Sequence, residues 1–147
     1  MFKGKYEYKI DSKGRISLPR PFKEVLQSDY SGRVVITNFD VCLVVYPIEE
    51  WEIFKEKAKS LPAYKDKVLS FIRFLYSGAT ECQLDKQGRV LIPAELRRYA
   101  KLEKEIVLLG VSNRIEIWNK DRWQEYLAES KSIIDDFAHQ IINLTEK

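Results

Sequence analysis

The chain states one motif twice. Residues Ile10-Asp11-Ser12-Lys13-Gly14-Arg15-Ile16-Ser17-Leu18-Pro19 return as Leu84-Asp85-Lys86-Gln87-Gly88-Arg89-Val90-Leu91-Ile92-Pro93, displaced by 74 positions in a chain of 147 residues. In each copy an acidic residue opens a turn, glycine follows three residues later, arginine comes next, and an alternating apolar strand runs into proline. An Asp at the first position of a turn accepts backbone N–H bonds, and a Gly at the fourth takes φ > 0 without steric penalty. The pattern predicts a type I turn closed by a glycine bulge, a geometry that suits the right-handed twist of a hairpin. Asp11 and Asp85 are read as turn-forming, Gly14 and Gly88 as structural. Two copies of one projecting basic loop suit a partner that itself repeats, and the most abundant such partner is a nucleic acid duplex.

The equivalence extends beyond the motif. Residues 5–10 alternate as a strand, 15–18 return, and Pro21 suits the first turn of a short helix through Gln27. Two β-branched runs, 34–37 and 42–46, flank the turn Asn38-Phe39-Asp40. After Pro47 the period becomes helical, with Trp51, Phe54, Ala58 and Leu61 on one face and a second helix over about 65–76. The second half repeats the order: a strand at 79–84, a returning strand at 89–92, a short helix at 93–99, and strands at 106–109 and 114–118. Helices then carry Trp123, Tyr126 and Leu127, and finally Ile133, Ile134, Phe137 and Ile141. Trp51 and Trp123 correspond at a spacing of 72 residues, as do Tyr46 and Trp118. The chain therefore divides into a first repeat (5–50), a helical connection (51–78), a second repeat (79–122) and C-terminal helices (123–147).

Neither repeat alone could bury enough apolar surface to be stable. The two are expected to interlock into one pseudo-twofold α+β barrel with helices after each repeat. The run from Val68 to Tyr76 is apolar around most of a helix circumference, more than one domain face needs. It is read both as a core element and as a contact with another subunit, with Phe71 and Leu75 as interface residues.

Hydrophobic residues make up 45% of the chain and charged residues 32%, the balance of an ordinary globular protein. No apolar run approaches the roughly 20 residues of a membrane-spanning helix. The opening Met1-Phe2-Lys3-Gly4-Lys5-Tyr6 lacks the pattern of a secretory signal, so a cytoplasmic protein is expected. Cys42 and Cys82 sit in apolar runs and read as small buried hydrophobes. The single histidine, His139, reads as a surface residue of the last helix, and no ligand spacing for a metal or other cofactor is present.

Net charge is only +3, but residues 1–33 hold eight basic and four acidic side chains, an excess larger than that of the whole chain. That local surplus suggests an electrostatic footprint for phosphate. Lys3, Lys5, Lys9, Lys13 and Arg20 are phosphate-contact candidates, with Lys86 their partner in the second loop; the alternative for each is a solvated surface role. Arg15 and Arg89 are candidates to reach base edges, since a guanidinium pairs bidentately with guanine and a two-stranded ribbon fits the major groove. Alternatively each arginine pairs with its own Asp11 or Asp85, and the two readings are compatible. Trp51 and Trp123, beside apolar partners at helical spacing, read as core anchors and not as stacking platforms for single strands.

These residues resemble a known family. The opening Met-Phe-x-Gly, the motif Asp11-Ser12-Lys13-Gly14-Arg15 with Pro19, and its echo Asp85-Lys86-Gln87-Gly88-Arg89 with Pro93 resemble MraZ, bacterial transcriptional regulators built from two AbrB-like (SpoVT-AbrB) units. Tyr46-Pro47 with Trp51, and Gly78-Ala79-x-Glu81-Cys82, are also similar, so the likeness covers essentially the whole chain. It implies a swapped-hairpin, double-psi β-barrel and assembly of protomers into a homo-oligomeric ring. It further implies a nucleoid-associated protein that binds double-stranded DNA at short direct repeats upstream of a division and cell-wall gene cluster, its own promoter included. The family's Asp-x-x-x-Arg signature, tied to DNA binding, falls on Asp11 and Arg15 and on Asp85 and Arg89. The second loop departs by carrying Gln87 where the first has Lys13.

Double-psi barrels also include carboxylate-dependent hydrolases. Here the paired acids open turns beside basic residues, no Asp-Thr/Ser-Gly sequence follows them, and one histidine offers no nucleophile pairing. Catalysis is set aside. The remaining alternative is a ring-forming interaction module whose basic loops hold protein or RNA.

Overall fold

The computed structural model describes residues 1–62 and 65–146. The first repeat runs β1 (Phe2–Lys9), β2 (Arg15–Ser17), α1 (Arg20–Ser28), β3 (Arg33–Phe39) and β4 (Cys42–Pro47). Helices α2 (Ile48–Lys59) and α3 (Asp66–Gly78) follow. The second repeat runs β5 (Thr80–Gln83), β6 (Arg89–Leu91), α4 (Ala94–Tyr99), β7 (Glu105–Ser112) and β8 (Arg114–Asn119), and α5 (Lys120–Thr145) ends the described chain.

Six strands form one antiparallel sheet in the order β1-β7-β8-β4-β3-β5, and β2 and β6 form a separate two-stranded ribbon. Exchanging every strand for its counterpart in the other repeat merely reverses the sheet order. A pseudo-twofold axis therefore passes between β4 and β8 and between β2 and β6. The first strand of each repeat pairs with the third strand of the other, Lys5 opposite Leu109 and Glu81 opposite Val35. The ribbon register sets Ile16 against Val90. The repeats are thus interleaved, which accounts for how two units of this size share one interior.

Two expectations need correction. The motif strands do not run on as a simple β-hairpin: β1 pairs with β7, and β2 pairs with β6 of the other repeat. Each loop is closed locally, but the strands diverge beyond it because each completes the partner repeat. Nor does the sheet close into a barrel. It ends at β1 on one side and β5 on the other, and the three-residue strands β2 and β6 are too short to carry the ladder across.

The main core lies between the sheet and the ribbon with its short helices. Ile16, Leu18, Phe22 and Leu26 meet their equivalents Val90, Ile92, Leu96 and Ala100, all buried, beneath Val34, Ile36, Leu43, Val45, Ile106, Leu108, Ile115 and Ile117. Alternation along β2 and β6, and the i, i+4 pairs Phe22/Leu26 and Leu96/Ala100, put these side chains on one side of each element. Fully burying a side chain of this kind contributes roughly 1.5–3 kcal/mol. Pro19 and Pro93 each stand at the cap before the helix, with φ of −55°.

On the opposite sheet face Leu75 packs with Val35, Val44, Tyr46 and Trp51. Leu75 is 1% exposed within the single chain, so it is a core residue and not the interface residue expected. The reason is that α3 lies along β3: Thr37 Oγ1 donates to the Leu75 carbonyl and Asn38 Nδ2 to the Phe74 carbonyl. Phe71, by contrast, is 39% exposed and meets Phe39 edge-on. In the second repeat Trp123 and Tyr126 pack on Trp118. There α5 continues unbroken for 26 residues where two helices were expected. Residues 120–146 contain no proline or glycine to break it, whereas Pro62 separates α2 from α3. His139 is exposed on α5, Cys42 is a buried free thiol and Cys82 a half-buried one. Among the described residues no helix is long and apolar enough to cross a membrane.

Candidate nucleic-acid interface

Both motif loops have the geometry their sequence dictates. The Gly14 N–H donates to the Asp11 carbonyl at 3.0 Å and the Asp11 N–H to the Arg15 carbonyl at 3.0 Å. Gly88 and Asp85 repeat the pair at 3.0 and 2.9 Å. Gly14 and Gly88 stand at φ of +83° and +75°, the left-handed region that glycine enters freely.

Each aspartate organises its loop. Asp11 Oδ1 accepts from the Lys13 and Arg15 N–H groups at 2.9 and 2.8 Å, and Oδ2 from Arg15 Nε at 2.7 Å. Asp85 Oδ1 accepts from the Gln87 and Arg89 N–H groups at 2.9 Å, and Oδ2 from Arg89 Nε at 2.9 Å. The Arg15 N–H is the largest cause holding the Asp11 carboxyl down to about 2, aided by the Arg15 guanidinium and the Lys13 N–H. Asp85 is lowered in the same way, chiefly by the Arg89 N–H. The loops differ in one respect. Arg89 Nη2 also donates to Gln87 Oε1 at 3.1 Å, whereas among the described residues the Arg15 guanidinium is held only through Nε.

The loops also depend on each other's repeats. The Leu18 N–H donates to the Gly88 carbonyl at 3.2 Å, and the Ile92 N–H to the Gly14 carbonyl at 2.9 Å. A basic side chain from the other repeat's short helix then lies over each glycine. A Cβ placed on Gly14 would stand 2.6 Å from Arg97 Cζ, and one on Gly88 2.5 Å from Lys23 Cδ. Lys23 and Arg97 were not singled out from sequence. The signal was available, because the 74-residue offset that relates the motifs also relates these two residues.

The other candidates are dispersed. Lys13 is exposed at the first loop and Lys86 at the second. Arg20 bonds Glu24 at 3.0 Å and lines a groove with Lys23, Lys86 and Gly88, so it lies beside the second loop although it belongs to the first repeat. Lys3, Lys5 and Lys9 share the outward side of β1, with Glu7 between them. Lys9 is next to the first loop, while Lys3 lies roughly 20 Å farther along the strand at 3.4 Å per residue. The structure thus groups Lys13 and Arg15 with Arg97, and Lys86 and Arg89 with Lys23 and Arg20, but leaves Lys3 and Lys5 apart.

The model of the MraZ protein family, described as antitoxin-like, matches residues 1–70 and 75–142. The chain belongs to the MraZ family. Relatives bearing the name Transcriptional regulator MraZ match it nearly end to end. That of Pediococcus pentosaceus is 46% identical over 143 residues, covering 97% of this chain and 98% of the relative. That of Pelotomaculum thermopropionicum is 47% identical over 145 residues, covering 98% and 97%. That of Desulforamulus reducens is 46% identical over 144 residues, covering 98% and 99%. The two segments of the MraZ match divide inside α3, so each contains one motif loop, one ribbon strand and one short helix. The resemblance to MraZ carried by the two loops therefore holds for the full chain.

Proposed function

We propose that this chain is a sequence-specific DNA-binding regulator of transcription, whose two motif loops engage the major groove of duplex DNA. The observation that carries the reading is the paired basic loop: a rigid Asp-ordered turn that presents one arginine, built twice about a pseudo-twofold axis. Arg15 makes the base-edge contact, with Nη1 and Nη2 not engaged by Asp11. Arg89 plays the weaker part, because Gln87 holds it a second time. Lys13, Lys86, Arg20 and Lys9 neutralise phosphates, and Lys3 and Lys5 contribute to the wider field. The relatives' common name, transcriptional regulator, supports this reading and a regulatory rather than catalytic role.

The finer reading follows the family likeness. The protein acts on short direct repeats upstream of a division and cell-wall gene cluster, including its own promoter, and protomers assemble into a ring. Phe71 remains a candidate for the contact between protomers. Exposed apolar side chains on α5, among them Ile133, Phe137 and Leu144, are further surface for a second copy to cover.

Electrophoretic mobility of a duplex carrying the repeated boxes, against a random duplex and single-stranded RNA, tests the function. Preferential retention of the box duplex is expected. Equal retention of all three, or preference for RNA, would favour the interaction-module reading and remove this one.

A further inference from the structure

The three-residue strands of the ribbon turn Ile16 and Val90 inward, both wholly buried, and leave Arg15, Ser17, Arg89 and Leu91 on the outer side. Leu91 is 58% exposed there, and among the described residues it is the one large apolar side chain left exposed on a strand. The interior does not require it. Its neighbours Val90 and Ile92 fill the core, and the equivalent position in the other repeat is Ser17. A leucine so placed offers its apolar surface to whatever meets the ribbon from outside.

The register gives that surface a companion. Arg15 stands directly opposite Leu91, and Ser17 opposite Arg89. The bonds from the Leu18 N–H to Gly88 and from the Ile92 N–H to Gly14 put both pairs at the closely spaced positions of the ladder. Side chains opposed in this way have Cβ atoms roughly 4.5–5.5 Å apart. The freer arginine thus has a leucine beside it, and the arginine that Gln87 restrains has a serine. Successive bases of a strand are about 3.4 Å apart along the duplex axis. With the Arg15 guanidinium on one base pair, Leu91 therefore falls on the next. The apolar group that a base pair presents in the major groove is the C5 methyl of thymine.

We propose that Leu91 determines sequence specificity by packing on the methyl group of a thymine next to the base pair that Arg15 reads. The proposal rests on the DNA-binding reading above and adds a second, uncharged contact to it. Arg15 comes from the first repeat and Leu91 from the second, so one base step is read by both halves of the chain. At the equivalent place Ser17 has no comparable apolar surface, and the Ser17–Arg89 pair does not sense the methyl. The two ends of the ribbon therefore prefer different sequences. Identical ends about a twofold axis would suit a palindromic site. Unequal ends suit boxes that repeat in one direction.

The test replaces each thymine of a one-box operator duplex in turn by deoxyuridine, which removes the C5 methyl and leaves every hydrogen-bonding group in place. Wild-type protein should lose affinity by about fourfold at one such position, the worth of one buried methyl-sized group, and by little at the others. Leu91→Ala should bind the unmodified duplex about fourfold more weakly than wild type and lose nothing further at that position. Leu91→Ser, which copies the other repeat, should do the same, while Leu91→Met should retain sensitivity to the methyl. None of these variants removes a charge, so the slope of log affinity against log salt should stay that of wild type. Wild-type protein that binds every deoxyuridine duplex as tightly as the parent would overturn the proposal, whatever the variants do. So would a Leu91→Ala protein that still senses the methyl. If preference for the operator over a scrambled duplex survived either result, the DNA-binding reading would stand without Leu91. Wild-type protein that retained neither duplex at any salt would overturn both.

Discussion

Arg15 and Arg89 show how a single neighbour separates two copies of one motif. Both are aligned by their aspartate, but among the described residues only Arg89 has a second hold, from Gln87. Arg15→Ala should therefore abolish preference for the operator, at roughly 1–3 kcal/mol per lost bidentate base contact, with the fold unchanged. Arg89→Ala should cost less. Fluorescence anisotropy with operator and scrambled duplexes checks both, and equal effects of the two substitutions would contradict the asymmetry. Asp11 gives a second expectation. Its folded carboxyl titrates at about 2 against an ordinary 3.8, so its contribution to the loop is fully present above about pH 4. That contribution is lost as pH falls from there through about 2. A carbon-detected NMR titration of Asp11 with a midpoint at the ordinary aspartate value would show that the Arg15 and Lys13 N–H bonds do not persist in solution.

At the level of elements, Gly14 and Leu75 mark what the sequence made legible and what it left hidden. The turn type, the left-handed glycine and the aspartate's role all follow from spacing within five residues, where local sterics decide. Gly14→Val should accordingly rearrange the loop, because a β-branched side chain fits badly at positive φ and meets Arg97. Retention of the loop's amide shifts in that variant would oppose this. Leu75 was misread because helical periodicity reports which side chains are apolar but not what covers them. The sheet face beneath α3 is built by β3 and β4, some 30 residues earlier, and the two hydrogen bonds that seat the helix come from Thr37 and Asn38. Leu75→Ala should lower stability by about 2–5 kcal/mol in urea denaturation, while Phe71→Glu should leave stability nearly unchanged and alter assembly if Phe71 lies between protomers. Strand exchange was implied by the family likeness but was not legible in the residues themselves, for a related reason. A repeat in the sequence declares two like units, but whether each strand pairs at home or abroad depends on contacts about 100 residues apart, as between β1 and β7. Separations of 83 residues from Gly14 and 65 from Gly88 likewise concealed Arg97 and Lys23, which look like ordinary surface cations until the partner loop is placed beneath them.

For the whole molecule, interleaving makes the two loops one rigid pair, joined by the β2–β6 ribbon and the reciprocal bonds from Leu18 and Ile92. If protomers assemble as proposed, the pair of fixed loops on each is repeated, which matches a target that repeats its boxes. Linked sites of that kind gain through effective concentration without any new contact, typically by 10²–10⁴ overall, a rough range for bivalent binding. The proposed function has the arginine-bearing loops read duplex DNA in this repeated fashion. It is tested most directly by comparing wild-type and Arg15→Ala protein on one-box and two-box duplexes under one salt condition. The wild-type chain should bind two boxes on the order of a hundredfold or more tightly than one, and Arg15→Ala should lose the preference for either over scrambled DNA. Equal wild-type affinity for one box and two, together with an Arg15→Ala variant that keeps the operator preference, would contradict it.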